Sequence, residues 1–254
     1  MPKRIVSLVP SLSQTLVEWG LRSELVGCTQ FCVLPPDLHR TAQIVGGTKD
    51  FSLAAIRGLS ATHIIANQEE NPREAVLELA EERSVLVTFP RGPADVPQMM
   101  RDIGHFLEVP VLAEAAAREV EIGLDKLTHL AVESRRYLYL IWRDPYMLAG
   151  PDTYISRLLA HGGWTNAYTG PERYPSLSLE AMRECRPTHI FLSSEPYPFR
   201  QRDALRLREQ WKEAPPLFKV DGRLLSWYGS STIEALRALE ENPGIIAGKL
   251  GQAC

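Results

Sequence analysis

The chain lacks most of what assigns a protein at a glance. Four cysteines in 254 residues, Cys28, Cys32, Cys185 and Cys254, are too few for a disulfide framework in a chain this long. Cys28 and Cys32 stand four apart, but no second Cys/His pair sits nearby to complete a zinc site. No apolar run approaches the roughly 20 residues that cross a bilayer, so no membrane insertion is expected. The net charge of -3 gives no general attraction to nucleic acid. The densest basic run, RQRDALRLREQWK from Arg200 to Lys212, interleaves its charges with Leu and Ala at helical spacing and reads as a solvated helix face. The opening MPKRIVSLVPS has basic residues but no apolar h-region and no small-residue cleavage site. The expectation is a cytoplasmic chain, with a periplasmic one as the alternative if a leader has been removed. There is no GxGxxG after a strand, no Walker loop, no GxSxG elbow and no HExxH. No catalytic residue, resident cofactor or metal site is therefore expected.

What is present is a pattern written twice. SLAAIRGLSATHIIANQEENP runs from Ser52 to Pro72, and SLEAMRECRPTHIFLSSEPYP from Ser178 to Pro198. The match carries Ser, Arg, Thr-His, Glu and Pro as well as apolar letters, which marks an internal duplication of one helix–strand–loop unit. Short apolar runs suit buried strands: RIVSLV, ELVGC, THIIA, SVLVTF, RRYLYLIW and THIFL. Helical segments alternate with them. Ser11 with Gln14 reads as a capping box, Gly20 as a helix end, Ser52 and Ser178 as caps, and Asn71-Pro72 as another helix start. Alternating strands and helices predict parallel sheets covered on both faces. The expected architecture is α/β: two similar parallel-sheet lobes, residues 1–109 and 135–254, bridged by one long helix over 110–134, with a ligand cleft between the lobes. The Ala-, Glu- and Leu-rich stretch from Val111 to Arg135 supplies that helix, about 22 residues or 33 Å.

Parallel sheets place their binding loops at the C-terminal ends of the strands. Those loops carry Phe31 and Cys32, then Trp142 and Tyr146, Tyr197 and Phe199, and finally Trp227 and Tyr228, with Tyr174 in a further loop of the second lobe. Aromatic faces with a few polar groups suit a large, flat, partly apolar ligand. They do not suit a bare ion, which wants convergent His, Asp or Glu. His63 and His189 occupy matching positions at strand starts, the end away from such loops, and are expected to be structural. Glu69 and Glu195 match through the repeat and are expected to cap loops or helices.

These stretches, with VGGTKD, WRDPYMLAGPDTYI, RYPSLSLEA and DGRLLSWYG, resemble the Fe/cobalamin-type (class III, helical-backbone) substrate-binding proteins of ABC importers, and within them the cobalamin-binding branch. The resemblance covers almost the whole chain. It implies two α/β lobes bridged by a helix and a non-catalytic binder of cobalamin or a similar corrinoid or metal chelate, with haem or a siderophore as the alternative ligand. An enzyme or metallocluster protein on the same scaffold is the alternative outside that class. The resemblance places Phe31, Thr48, Trp142, Tyr174 and Trp227 on the ligand face and makes Cys32 a candidate soft ligand. It also implies docking to a permease through one Glu per lobe. Glu180 keeps that acid, but Ala54 stands where its counterpart would, which should weaken docking. Ser230 and Ser231 follow Trp-Tyr-Gly where relatives carry an Arg.

Overall fold

The computed structural model describes residues 3–128 and 135–241. His129, Cys254 and the last stretch of the expected bridging helix lie outside them. The chain divides into two compact units. Unit 1 comprises the residues up to Pro90, Asp95–Glu119 and Tyr228–Ser231; unit 2 comprises Arg91–Ala94, Val120–Trp227 and the chain from Thr232.

Unit 1 contains β1 (Ile5–Ser7), α1 (Pro10–Glu18), β2 (Leu25–Cys28), β3 (Gln43–Ile44), α2 (Leu53–Gly58), β4 (His63–Asn67), α3 (Arg73–Ala80), β5 (Ser84–Thr88) and α4 (Val96–Phe106). Its five strands pair in the order β3-β2-β1-β4-β5, all parallel. Val6, Leu8, Val45, Ile56, Ile64, Val76 and Leu79 form a core against the sheet, and each fully buried aliphatic side chain contributes about 1.5–3 kcal/mol. Helix α5 (Pro110–Thr128) runs for 19 described residues and carries the chain from unit 1 into unit 2.

Unit 2 contains β6 (Arg135–Trp142), β7 (Tyr146–Leu148), α6 (Tyr154–His161), β8 (Trp164–Asn166), β9 (Ser176–Leu177), α7 (Leu179–Glu184), β10 (His189–Ser193), α8 (Gln201–Gln210), β11 (Leu217–Val220) and α9 (Gly222–Ser226). Helix α10 (Ser230–Glu241) begins on unit 1 residues and continues in unit 2. Strands β11, β10, β6 and β8 pair in parallel, and of these the sequence predicts β10 and β6. Strands β7 and β9 add antiparallel pairs that it does not predict. The eight residues of β6 are long enough to pair with β8 at one end and β7 at the other. Leu138, Leu140, Met182, Ile190, Leu192, Leu207 and Trp211 belong to the core of this unit.

The repeated letters do the same work in both units. Ser52 and Ser178 each cap a helix, accepting from Ala55 N at 3.2 Å and Ala181 N at 3.1 Å. Thr62 exchanges hydrogen bonds with the Arg4 backbone, and Thr188 does so with the Arg136 backbone. Each Thr hydroxyl also meets the Nδ1 of the following histidine at 2.9 Å. His63 and His189 set their rings edge-on to Phe106 and Trp164, at 5.0 and 4.9 Å. Burial holds both imidazoles below their ordinary pKa. The histidines are structural.

Two helix starts differ from their sequence reading. Helix α1 begins at Pro10, one residue before the predicted Ser11 cap, because proline is already set for the first helical position. Gln14 bonds Glu18 instead of closing a capping box. The helix ends as predicted: Gly20 takes φ +79, with Gly20 N on Val17 O and Leu21 N on Leu16 O, a Schellman closure. Helix α3 begins at Arg73 after Pro72, and Asn71 does not cap it. The Asn71 side chain is claimed by backbone groups of other segments, described below.

Candidate functional site

In unit 1 the loop after β2 turns tightly, Cys32 N bonding Thr29 O at 3.1 Å. Phe31 projects from that turn and is 51% exposed. Its ring lies over Gly47, where a Cβ would come within 3.3 Å of Phe31 Cε2. Cys32 points the other way. It is fully buried, with Ser13 Oγ and Thr29 Oγ1 at 3.1 and 3.2 Å from its sulfur. This corrects the expectation of Cys32 on a ligand face: the sulfur is held between α1 and its own turn. Thr48 is half-buried, and its carbonyl accepts from Asn71 Nδ2 at 3.0 Å.

The same Asn71 amide donates to Leu8 O at 3.1 Å, and Asn71 Oδ1 accepts Asn67 N at 2.7 Å. Asn67 Oδ1 in turn accepts the backbone N–H groups of Glu69 and Glu70. Two buried asparagines thus tie together the ends of β1 and β4 and the Thr48 loop. Glu70 extends from this network to accept the Tyr228 hydroxyl at 2.7 Å. Burial and the Glu70 carboxylate push the Tyr228 hydroxyl well above its ordinary pKa. Tyr228 is therefore a buried hydrogen-bonding residue and not an open aromatic face, which corrects its placement among the ligand residues.

Ser230 and Ser231 follow in the same unit. Thr15 Oγ1 accepts Ser230 N at 3.1 Å, so a side chain of α1 caps the start of α10. Ser230 Oγ also meets Thr15 Oγ1, and Ser231 Oγ bonds Gln14. Gly229 is required between them: its φ is +83, and a Cβ would lie 2.3 Å from Thr15 Oγ1.

In unit 2 the end of β6 and the loop after β10 bring aromatics together. Trp142, 42% exposed, meets Tyr197 at 5.6 Å between ring centroids, and Tyr197 meets Phe199 at 4.8 Å. Phe199 itself is spent in the core and has no face left for a ligand, a correction to its predicted role. Tyr197 is braced by its hydroxyl on Asp203 and by the Arg143 guanidinium 5.7 Å from its ring. Asp203 also takes Arg143 Nη1 at 2.7 Å and Arg200 N at 2.8 Å. Removing Arg143 would leave the buried Asp203 carboxylate without its charge partner. Tyr146 is half-buried against the core and reaches Gln210. Tyr174 is 43% exposed.

Trp227 is buried and directs its indole N–H to Glu195 Oε1 at 2.9 Å, with Ser226 Oγ on the same oxygen at 3.3 Å. Burial raises the Glu195 pKa, and the two donors oppose the rise. Glu195 and Glu69, equivalent by the repeat, are therefore used differently: Glu195 holds a tryptophan by its carboxylate, while the Glu69 carbonyl accepts Lys49 Nζ. Ala54 and Glu180 both lie exposed in the first turns of their matching helices.

A cavity of about 340 Å³ in unit 2 is lined by Arg136, Ala167, Tyr168, Leu177 and Cys185 among others. It contains none of the predicted aromatics, and its arginine is engaged by the carbonyls of Ala167 and Cys185. Among the described residues no group of three His, Cys, Asp or Glu could hold a metal ion, and no helix is long and apolar enough to cross a membrane.

No protein-family model matches the chain, and no curated protein matches it in sequence. Solved structures do match along nearly its whole length. The periplasmic vitamin B12-binding protein of Vibrio cholerae superposes with a TM-score of 0.79 at 19% identity, covering 96% of this chain and 97% of that one. The periplasmic heme-binding protein of Roseiflexus sp. RS-1 gives 0.81 at 20% identity, covering 97% and 100%. A periplasmic heme-binding protein from Pseudomonas aeruginosa gives 0.80 at 21%, covering 100% and 95%. All three are periplasmic, and this overturns the expectation of a cytoplasmic chain drawn from its opening residues. Strand order, the helix that joins the units and these superpositions agree: the chain has the fold of the class III, helical-backbone substrate-binding proteins of ABC importers.

Proposed function

We propose that this protein is a non-catalytic binder of a large, flat metal chelate, cobalamin or a similar corrinoid, and serves an ABC importer as its substrate-binding component. The observation that carries this reading is the set of aromatic side chains left exposed in each unit: Phe31 in unit 1, and in unit 2 Tyr174 and Trp142, the latter braced on Tyr197. Exposed aromatics with polar groups held in place behind them suit a planar ligand with a polar rim. Trp227, aligned by Glu195, and Thr48, aligned by Asn71, belong to the same set of strand-end positions. The chelate is cargo, and the protein needs no resident cofactor. The vitamin B12-binding structure supports a corrinoid and a periplasmic site of action.

A haem ligand is the second reading, favoured by heme-binding structures that match the fold equally well. On either reading Glu180 presents its carboxylate to a permease, and Ala54 leaves the matching contact unmade.

An absorbance titration of the purified protein with aquo- and cyanocobalamin, and in parallel with haem, tests the proposal. A saturable change in the corrin bands at micromolar concentration or below is the expected result. A response to haem alone would move the ligand and keep the binder. Silence with all three would overturn the reading.

A further inference from the structure

The cavity in unit 2 lies apart from the exposed aromatics of that unit. Arg136, which lines it, is the second residue of β6, and Trp142 is the last. Six residues of strand separate the two, about 20 Å. Ala181 and Glu184 of α7 and Cys185 at its end supply one wall. A volume of about 340 Å³ is at the small end of the roughly 300–1,000 Å³ range of ligand sites. Thr169 and Glu184 belong to the lining and are exposed, so the cavity opens to solvent.

Two opposite charges face this space with capacity to spare. Arg136 donates from Nε to Arg186 O at 3.4 Å and from Nη2 to Ala167 O and Cys185 O at 3.3 and 2.8 Å. Those carbonyls fix the guanidinium, and its Nη1 meets no acceptor among the described residues. The Glu184 carboxylate has no hydrogen bond or ion pair among the described residues either. The lining also includes Ala167, Leu177, Ala181 and the ring of Tyr168, whose hydroxyl is turned to Glu172. A plain anion would meet the Glu184 carboxylate, and a plain cation would meet the Arg136 guanidinium. A small molecule that carries both charges and a short apolar group satisfies every wall. We propose that this cavity binds a free apolar α-amino acid of about leucine's size, with its carboxylate on Arg136 Nη1, its ammonium on Glu184 and its side chain against Ala167, Leu177 and Ala181.

The amino acid would sit on α7, the helix that presents Glu180. The site shares no residue with the aromatic set, so its occupancy does not depend on which chelate the protein carries.

Cys185, half-buried in the lining, reports occupancy. The native reduced protein is alkylated with iodoacetamide over a range of L-leucine concentrations. The rate at Cys185 is read from the tryptic peptide Glu184–Arg200, in which it is the one cysteine and Pro187 protects Arg186 from cleavage. Leucine is expected to slow this alkylation saturably, with half its effect at about 1 mM or below. Leucinamide, which lacks the carboxylate, and 4-methylpentanoate, which lacks the ammonium, should each need about tenfold more, the loss of one hydrogen bond to a charged group. Glycine, with no side chain to bury, should need at least about tenfold more as well. This series needs no variant to fold. In Glu184→Gln, a change at an exposed position, leucine should lose its advantage over 4-methylpentanoate. A rate at Cys185 that millimolar leucine leaves untouched would overturn the proposal. So would equal slowing by leucine, leucinamide and 4-methylpentanoate, or an advantage of leucine that survives in Glu184→Gln.

Discussion

The loops that follow β4 and β10 descend from one repeated sequence, and they are held by different chemistry. In unit 1 two buried amides do the work. Asn71 alone bonds Asn67 N, Leu8 O and Thr48 O, so one side chain ties the ends of two strands to a third loop. In unit 2 the position of Asn67 is taken by Ser193. Its hydroxyl donates to Glu195 O at 2.6 Å and lies 3.1 Å from the Tyr139 hydroxyl. A serine reaches its own loop and one neighbour; an asparagine has separate donor and acceptor ends and reaches further. The duplicated helix, cap and strand stayed alike because they serve the core. The loops diverged because each holds a different neighbour: a polar shelf with Glu70 and Tyr228 in one unit, an indole in the other.

The largest test of this contrast removes the hub. Asn71→Ala leaves Asn67 N and Leu8 O buried without their side-chain partner, and a buried unsatisfied group costs about 1–3 kcal/mol. A loss of about 3 kcal/mol in urea unfolding is expected, read from the midpoint at constant slope. Ser193→Ala strands the Tyr139 hydroxyl and frees one local loop, and should cost about 1–2 kcal/mol. Equal losses would mean that the two loops are held to the same degree and that the divergence is only in the letters.

The sequence made the repeated part legible because the same letters meet the same demands twice. Ser52 and Ser178 cap the helices that their positions suggest, Thr62 and Thr188 meet matching backbone groups, and the apolar runs become the strands that they spell. Several misreadings come from competition by residues far along the chain. Asn71 before Pro72 reads as a cap, but Leu8 O and Thr48 O claim it from 63 and 23 positions away. Phe199 and Cys32 sit in strand-end loops, yet packing turns them inward. Trp227 finds Glu195 across 32 positions, with no periodicity to announce it. Strands β7 and β9, three and two residues long, are too short to show an alternation. Trp142, Tyr174 and Phe31, by contrast, are exposed in the loops where the sequence places them.

Glu195 sharpens the comparison through pH. Its folded pKa is raised above the ordinary 4.5 because burial disfavours the carboxylate. The native state therefore holds a proton that the unfolded chain has already released, and stability falls as pH rises from 4.5 through the folded pKa. Glu195→Gln keeps an acceptor for Trp227 and removes the titration. Urea midpoints of variant and wild type should lie closest near pH 4.5 and separate in favour of the variant toward neutral pH, with Trp227 fluorescence of the wild type changing over the same interval. Parallel curves at all pH values would mean that Glu195 is not taxed by burial, and its hold on Trp227 would then have to be as solvated as the backbone contacts of Glu69.

The smallest effect belongs to the surface, where Glu180 and Ala54 occupy the same place in matching helices. Both positions are exposed, so exchange there should leave the core untouched. Ala54→Glu adds an acid to the first turn of α2, where the helix dipole favours it by about 0.3–1 kcal/mol. Because α2 is only six residues long, the lower end is expected, at the limit of a thermal melt. Glu180→Ala should lose a similar amount from α7. The informative reading is association with a corrinoid permease in detergent or nanodiscs. If each unit docks through one carboxylate, Ala54→Glu tightens the complex and Glu180→Ala weakens it, and high salt diminishes both changes. If neither substitution moves association while both shift the melt in opposite directions, these acids serve only their helices, and the importer would have to be met through other surfaces of the two units.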